Sequence, residues 1–193
     1  MTVLYIADKF DKYGSIDSFK QMVDALYNNY HIKPIIIHYT KGNLFRWAKE
    51  RGYEFHAISY KSLMIPRVSK NRLIRNVIII LYRIYHCIFT YISLLQIKTN
   101  VRISDVDIIH TNINRVDFGI ILSMKYNIPH VWHIREYPPS ISYPVDSIKK
   151  NYIDLINRSN YKIIISSSLI KQMLKTAVTR TATRRWTTSS RWE

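Results

Sequence analysis

Short apolar runs alternate with helix-period segments along most of this chain. Val3-Leu4-Tyr5-Ile6-Ala7 is continuous and short, the pattern of a strand buried on both faces. A polar loop, residues 8–15, follows with a glycine near its end. Ser15 or Asp17 is placed to cap a helix with apolar positions Phe19, Met22, Val23, Leu26 and Tyr27. Residues 34–39 predict a second strand. Asn43 is the expected cap of a short helix, residues 44–51, that stops at Gly52. Residues 53–60 predict a third strand, and Pro66 marks a loop. Further on, Val106, Ile108 and Ile109 form a run that ends in His110-Thr111-Asn112. Phe118, Ile121, Leu122 and Lys125-Tyr126 then recur at helical spacing, and Pro129 opens the run Val131-Trp132, ending in His133-Ile134-Arg135-Glu136. Tyr137-Pro138-Pro139 begins a loop reaching about to Pro144. Ser147 starts a helix carrying Ile148, Tyr152, Ile153, Leu155 and Ile156. Ile163-Ile164-Ile165 is a sixth strand ending in Ser166-Ser167-Ser168, and another helix begins at Leu169. Strands alternating with helices predict an α/β fold, a Rossmann-like parallel sheet with helices on both faces.

One segment interrupts the rhythm. Residues 77–97, VIIILYRIYHCIFTYISLLQI, are long and apolar enough for a membrane span. Arg83 and His86 near the centre are costly in lipid, and a span would cut the alternation in two. A buried or partly buried helix of the domain is the leading reading. A helix lying on the bilayer interface, with Arg and Lys reaching anionic headgroups, is the second.

Composition narrows the class. The chain has 193 residues, 47% of them hydrophobic, which suits one domain with a sizeable core rather than two. Its 29 Lys+Arg against 13 Asp+Glu give a net charge of +16, which favours anionic neighbours: nucleic acid, a membrane surface or phosphorylated ligands. Cys87 is the only cysteine. It lies in the apolar run, where it reads as a core or interface thiol. Disulfides and cysteine metal sites are thereby excluded, and a reducing compartment is expected. The first residues, MTVLYIADKFD, lack the basic start, apolar core and cleavage site of a signal peptide. A cytoplasmic location follows as the expectation, with peripheral contact at the inner face of the membrane as an extension of it.

The sequence contains no H-E-x-x-H, C-x-x-C or G-x-S-x-G, so metal-hydrolase and serine-hydrolase chemistry has no support and no metal is expected. Three polar segments remain, residues 8–18, 110–114 and 133–136. In a parallel sheet all three lie at carboxyl ends of strands, where ligands bind. The glycine turn at Gly14-Ser15 precedes a helix N-terminus, a generic anion site. His110 or His133 can donate a hydrogen bond or move a proton. Arg135 can pair with phosphate, and Glu136 can accept sugar hydroxyls or orient Arg135. His31, His38, His56, His86 and His130 read as structural.

At Tyr13-Gly14-Ser15, at Asp107-Ile108-Ile109-His110-Thr111-Asn112 and above all at His130-Val131-Trp132-His133-Ile134-Arg135-Glu136, the chain resembles the N-terminal domain of retaining glycosyltransferases of the GT-B fold, the "group 1" family. Many members build bacterial capsule, O-antigen or other surface polysaccharides. Ser166-Ser167-Ser168 is also similar to the family's sixth-strand segment. The resemblance covers roughly residues 2–175. It implies two Rossmann-like domains flanking a cleft, with the acceptor, a glycan or lipid-linked molecule, on the N-terminal side. The nucleotide-sugar donor binds the C-terminal domain, and no separate cofactor is implied. It also implies that Gly14 and Ser15 sit near the donor phosphates, that His133 is the catalytic residue close to the reacting sugar, and that His110, Thr111, Asn112, Arg135 and Glu136 bind substrate. The family's double glycine is Tyr13-Gly14 here, and no E-x7-E motif follows the sixth strand. The implied consequence is little or no sugar transfer by these 193 residues alone.

Residues 175–193 break the composition. They hold six Thr, four Arg and two Trp, with no apolar period. The expectation is a domain over residues 1–174 followed by a disordered tail, a truncation or frameshift scar or a basic arm. Two rival readings stand beside the resemblance: a free-standing Rossmann-like module for a phosphorylated ligand, and a nucleic-acid-binding protein. The second has charge in its favour but no accompanying helix-turn-helix, RNP or zinc pattern.

Overall fold

The computed structural model describes residues 1–7, 14–62, 64–66, 71–113, 115–134, 142–144 and 155–164. The elements run β1 (Thr2–Ile6), α1 (Gly14–Tyr30), β2 (Lys33–His38), α2 (Asn43–Glu50), β3 (Glu54–Ala57), β4 (Met64–Pro66), α3 (Arg72–Asn100), β5 (Ile108–Thr111), α4 (Phe118–Tyr126), β6 (His130–Ile134), β7 (Ser142–Pro144) and β8 (Tyr161–Ile164). Six strands form one sheet in the order β3-β2-β1-β5-β6-β8, and each neighbouring pair is parallel. Counted along the chain, these six take the doubly wound order 3-2-1-4-5-6, which reverses between β1 and β5.

Side chains alternate across a strand, so the central strands feed two cores. Val3, Tyr5 and Ala7 of the β1 segment join Ile36 against Ile16, Phe19 and Val23 of α1 and Leu44 and Ala48 of α2. Leu4 and Ile6 join Ile35, Ile37 and Ile109 against Ile97 of α3 and Phe118 and Leu122 of α4. Helices therefore cover both faces, as the alternation predicts, α1 and α2 on one and α3 and α4 on the other.

Element boundaries differ from the sequence expectation in instructive places. Gly14 and Ser15 are in the first turn of α1 rather than in a loop before it. Gly42, not Asn43, is the N-cap of α2; Asn43 is the first helical residue, and its side-chain oxygen accepts from Arg46. Gly52 does end that helix, in the left-handed region at φ 70°. Pro66 belongs to β4, which pairs antiparallel with β7 in a small ribbon whose three-residue strands, each ending in proline, are too short to show a period. β5 continues through His110 and Thr111, and β6 continues through His133 and Ile134, where the sequence pattern suggests loops. A strand with a partner on each side stays extended for as long as pairing lasts, whatever the polarity of its residues, and Thr111 pairs with both Ile6 and Trp132. α3 is longer than residues 77–97 because Asn71 caps it, its side chain accepting from the backbone N–H of Leu73 at 2.9 Å. Cys87 is exposed on α3, not a core thiol. Residues 155–157 are helical. The expected start of that helix at Ser147, the Ser166–Ser168 strand end, the helix from Leu169 and the 175–193 tail lie outside the described residues.

The β5–α4–β6 unit closes on a buried polar relay. His130 is fully buried, with Nε2 2.8 Å from the Thr111 hydroxyl and Nδ1 2.9 Å from the Ser159 hydroxyl. A neutral imidazole offers one donor and one acceptor, and the two hydroxyls satisfy them in either sense. Burial, reinforced by the nearby Lys162 charge, pushes the His130 pKa down to about 3. Gly119 lies on top of this relay. A Cβ there would come 1.9 Å from Thr111 Oγ1 and 2.8 Å from His130 Nε2. A second buried pair ties α3 to the start of α4: His86 Nε2 is 3.2 Å from Asp117 Oδ1. Burial works to lower the His86 pKa, but the hydrogen bond and charge of Asp117 together raise it.

Gly119→Ala is expected to destabilise the fold by about 2–3 kcal/mol through overpacking against buried hydroxyl and ring. Gly52→Ala, which meets no neighbour within 4 Å, should cost only the left-handed strain of about 1 kcal/mol. Urea unfolding of the two variants measures both, and equal losses would contradict the packing account. His130 gives a pH signature. The folded state keeps the ring neutral down to about 3, whereas the unfolded chain takes up its proton near 6.5. Stability therefore falls as pH drops through that window, by on the order of 5 kcal/mol from this group at ~1.4 kcal/mol per unit. A His130→Gln variant should be less stable at neutral pH yet show a flatter acid slope; parallel slopes would refute the assignment.

Candidate functional site at the carboxyl edge of the sheet

The strand order reverses between β1 and β5, and it is outside the carboxyl ends of the strands at such a reversal that open α/β sheets bind ligands. The backbone there is clipped from several sides. Asn112 N–H donates to Ile6 O at 2.9 Å, and Trp132 Nε1–H donates to Ile113 O at 3.0 Å, so the turn after β5 is held by both neighbouring strands. The Tyr60 hydroxyl donates to Ala7 O at 2.5 Å, and its ring stacks on Phe118 at 5.6 Å between centroids. Chain ends fixed in this way keep their geometry without a ligand, which is what a pre-organised site needs.

On the α1 face, four rings cross the sheet edge in file. Phe19 meets Tyr5 at 5.7 Å, Tyr5 meets His110 at 5.4 Å, and His110 meets His133 at 5.7 Å, each edge to face. Parallel register explains the file. Tyr5 and His110 are Cα partners, and His133 lies two residues beyond Val131, the next partner of His110. His110 and His133 are buried at 5% and 6% exposure, so their rings sit at the floor of the edge rather than in solvent. Burial pushes the Tyr5 hydroxyl up to about 12, so it stays a neutral phenol at physiological pH. The arrangement places two imidazoles side by side next to an uncharged aromatic wall. Such a pair can donate to an anionic or hydroxylated ligand or exchange a proton with it.

The predicted site residues separate on this geometry. His110 and His133 come together on the α1 face. Gly14 and Ser15, in the first turn of α1, belong to the helix whose Ile16 and Phe19 pack on that same face. Thr111 points to the opposite face, where its hydroxyl meets His130. Asn112 is fully buried at the end of β5. Asn114, Arg135 and Glu136 lie outside the described residues, as do residues 8–13. Tyr5 enters the site only through sheet register; in the sequence it reads as one more apolar strand residue. Four of the five histidines read as structural have internal contacts: His38 Nδ1 is 2.8 Å from Thr40 O, His56 pairs with Glu54 at 2.9 Å, and His86 and His130 make the contacts above, while His31 is exposed. Among the described residues, no three His, Cys, Asp or Glu side chains gather as a metal site.

Two concavities among the described residues lie away from this edge. One, of about 450 Å³, runs along α3 between Ile80, Arg83, Ile84, Cys87 and Ile88. The other, of about 300 Å³, is at the opposite end of the sheet near Lys33, Glu54 and Arg102. The doubly wound topology and the histidine pair favour the carboxyl edge over both.

No protein-family model matches the chain, and no curated protein matches its sequence. Solved structures do match its fold. Anabaena Alr3699/HepE in complex with UDP-glucose aligns at a TM-score of 0.53 and 12% identity, over 91% of this chain and 40% of that one. The same protein with UDP and glucose gives 0.53 and 14% identity, over 92% and 41%. A glycosyltransferase from Rickettsia africae ESF-5 aligns less well, at 0.47 and 18% identity, over 90% and 38%. The chain thus spans about 40% of the length of the HepE structures it matches, and what it shares with them is the Rossmann-like fold.

Proposed function

We propose that residues 1–174 form the acceptor-side domain of a nucleotide-sugar-dependent glycosyltransferase. In its finer form the proposal is the N-terminal domain of a retaining GT-B enzyme of the surface-polysaccharide type. The observation that carries it is the histidine pair at the carboxyl edge of a doubly wound sheet, on a fold similar to that of HepE, a protein solved with UDP-glucose. The edge suits such a role chemically. A helix N-terminus at Gly14-Ser15 suits a phosphate. His133, packed beside His110, is positioned to donate to a sugar hydroxyl or to charge developing at the reacting sugar. Arg135 and Glu136, the next residues past β6, supply an anion partner and a hydroxyl acceptor for the acceptor side. Thr111 supports the site from behind through His130, and Asn112 fixes the turn above it.

In this proposal the donor is held mainly by a second Rossmann-like domain across the cleft. The edge described here supplies one wall, and residues 175–193 lie outside the domain. The 193-residue chain then binds a nucleotide-sugar weakly and does not turn it over.

Titration of the ¹⁵N-labelled chain with UDP-glucose tests this reading. Shifts should concentrate on residues 14–16, 110–113 and 133–136, with a dissociation constant on the order of 1 mM. His133→Gln should weaken binding several-fold while leaving the thermal transition in place. Shifts centred on Lys33 and Arg102 at the other end of the sheet, or none at all, would defeat the proposal. Rapid sugar transfer by the isolated chain would defeat the one-wall part of it alone.

A further inference from the structure

α3 carries two opposed faces that do different work. Ile79, His86, Ser93 and Ile97 are its buried residues, at spacings that keep them on one line of the helix. That line is bonded to the domain: His86 to Asp117, the Tyr82 hydroxyl to Ser62 O at 3.4 Å, and the Gln96 side chain to Ser59, from whose N–H it accepts at 2.8 Å. The opposite face is apolar and uncovered. Leu73, Ile74, Val77, Ile80, Leu81, Ile84, Tyr85, Ile88, Tyr91 and Leu95 are each 40% to 76% exposed. At about 100° per residue these ten project within a sector of roughly 140°, centred opposite the buried line. The stripe runs roughly 33 Å at 1.5 Å per residue. Only 17% of the most apolar 18-residue window is buried. Monomeric proteins rarely leave so continuous an apolar surface in water without a use for it.

We propose that this face of α3 docks flat on an anionic lipid bilayer. Charge selects that occupant. Residues 72–100 contain no Asp or Glu, and the whole chain carries +16. Arg83 lines a concavity with Ile80, Ile84 and Ile88 on one side of the stripe. On the other edge the Lys61 ammonium sits 4.2 Å from the Phe89 ring centroid and 5.6 Å from that of Tyr85. Cations with apolar stems on both borders of an apolar stripe reach headgroup phosphates while the stripe enters the acyl boundary. Tyr85 and Tyr91 suit the same depth, with ring in the apolar zone and hydroxyl in the polar one. A span is excluded by the other face: crossing the bilayer would require breaking the His86–Asp117 pair and stripping Ile79 and Ile97 from the core. The helix lies in the interface plane and places the domain at the membrane surface. This inference is independent of the sugar-transfer reading, since α3 packs on the face away from the histidine file.

Vesicle flotation of the 193-residue chain tests it, with phosphatidylcholine alone and with about one lipid in three replaced by phosphatidylglycerol. The chain should float with the anionic vesicles and much less with the neutral ones, and added salt should release part of it. Ile80→Ser/Ile84→Ser/Ile88→Ser should cut partitioning at least roughly tenfold with the folded thermal transition retained, because all three side chains are more than half exposed. Arg83→Gln/Lys61→Gln should weaken the preference for anionic lipid. Cys87, the only thiol, lines the concavity on this helix. A polarity-sensitive dye attached there should shift to the blue on vesicle addition. Equal flotation by wild type and the triple Ser variant would overturn the proposal. So would a vesicle-independent dimer abolished by the same variant, which would assign the face to a second copy, or salt-sensitive binding to nucleic acid without vesicle binding.

Discussion

Every layer of this domain is referenced to β1. It is five residues long, hydrogen-bonded to β2 on one side and β5 on the other, and its residues alternate between two separate cores. A polar side chain at any of Val3, Leu4, Tyr5 or Ile6 would be buried on a face with no partner for it, so the whole run must be apolar. The strand also sets the site. Its end, with that of β5, marks the reversal of strand order, and its register with β5 lines Tyr5 up with His110.

The carboxyl edge joins two kinds of order. Backbone clips at Ala7, Asn112 and Ile113 fix where the strands end, and the file Phe19, Tyr5, His110, His133 fixes which side chains meet there. Beneath it, the Thr111–His130–Ser159 relay sets the spacing of β5, β6 and the turn into β8, while Gly119 lets α4 settle on that relay without a gap. Thr111, His130 and Ser159 are tolerated inside this core because each has a hydrogen-bond partner.

Fold class was legible because apolar runs of strand length separated by helical spacing are a direct image of buried parallel strands and amphipathic helices. Six strands, their parallel sense and helices on both faces all follow from that image. Strand ends were less legible. His110, Thr111 and His133 look like loop residues because polarity is what a sequence displays, whereas strand length is decided by neighbours contributed from up to about a hundred residues away. The same limit applies to the site. Two histidines at strand ends mark the right edge, but Tyr5 belongs to it only through register, and the turning of Thr111 to the far face follows from strict alternation after His110. The β4–β7 ribbon left no trace, since three-residue strands with prolines carry no period.

The pairing of β1 with β5 has a consequence for how the chain comes into being. Thr2 N–H donates to the Asp107 carboxylate across 105 positions. During synthesis, β1, β2 and β3 are therefore complete long before the strand that closes the centre of the sheet exists. Until residue 111 has emerged, one edge of β1 is an unpaired, wholly apolar ribbon. The next long segment to appear is α3, whose outer stripe is apolar as well. A nascent chain with two such surfaces is prone to capture by chaperones or by a nearby bilayer, and the order of its elements makes that exposure unavoidable.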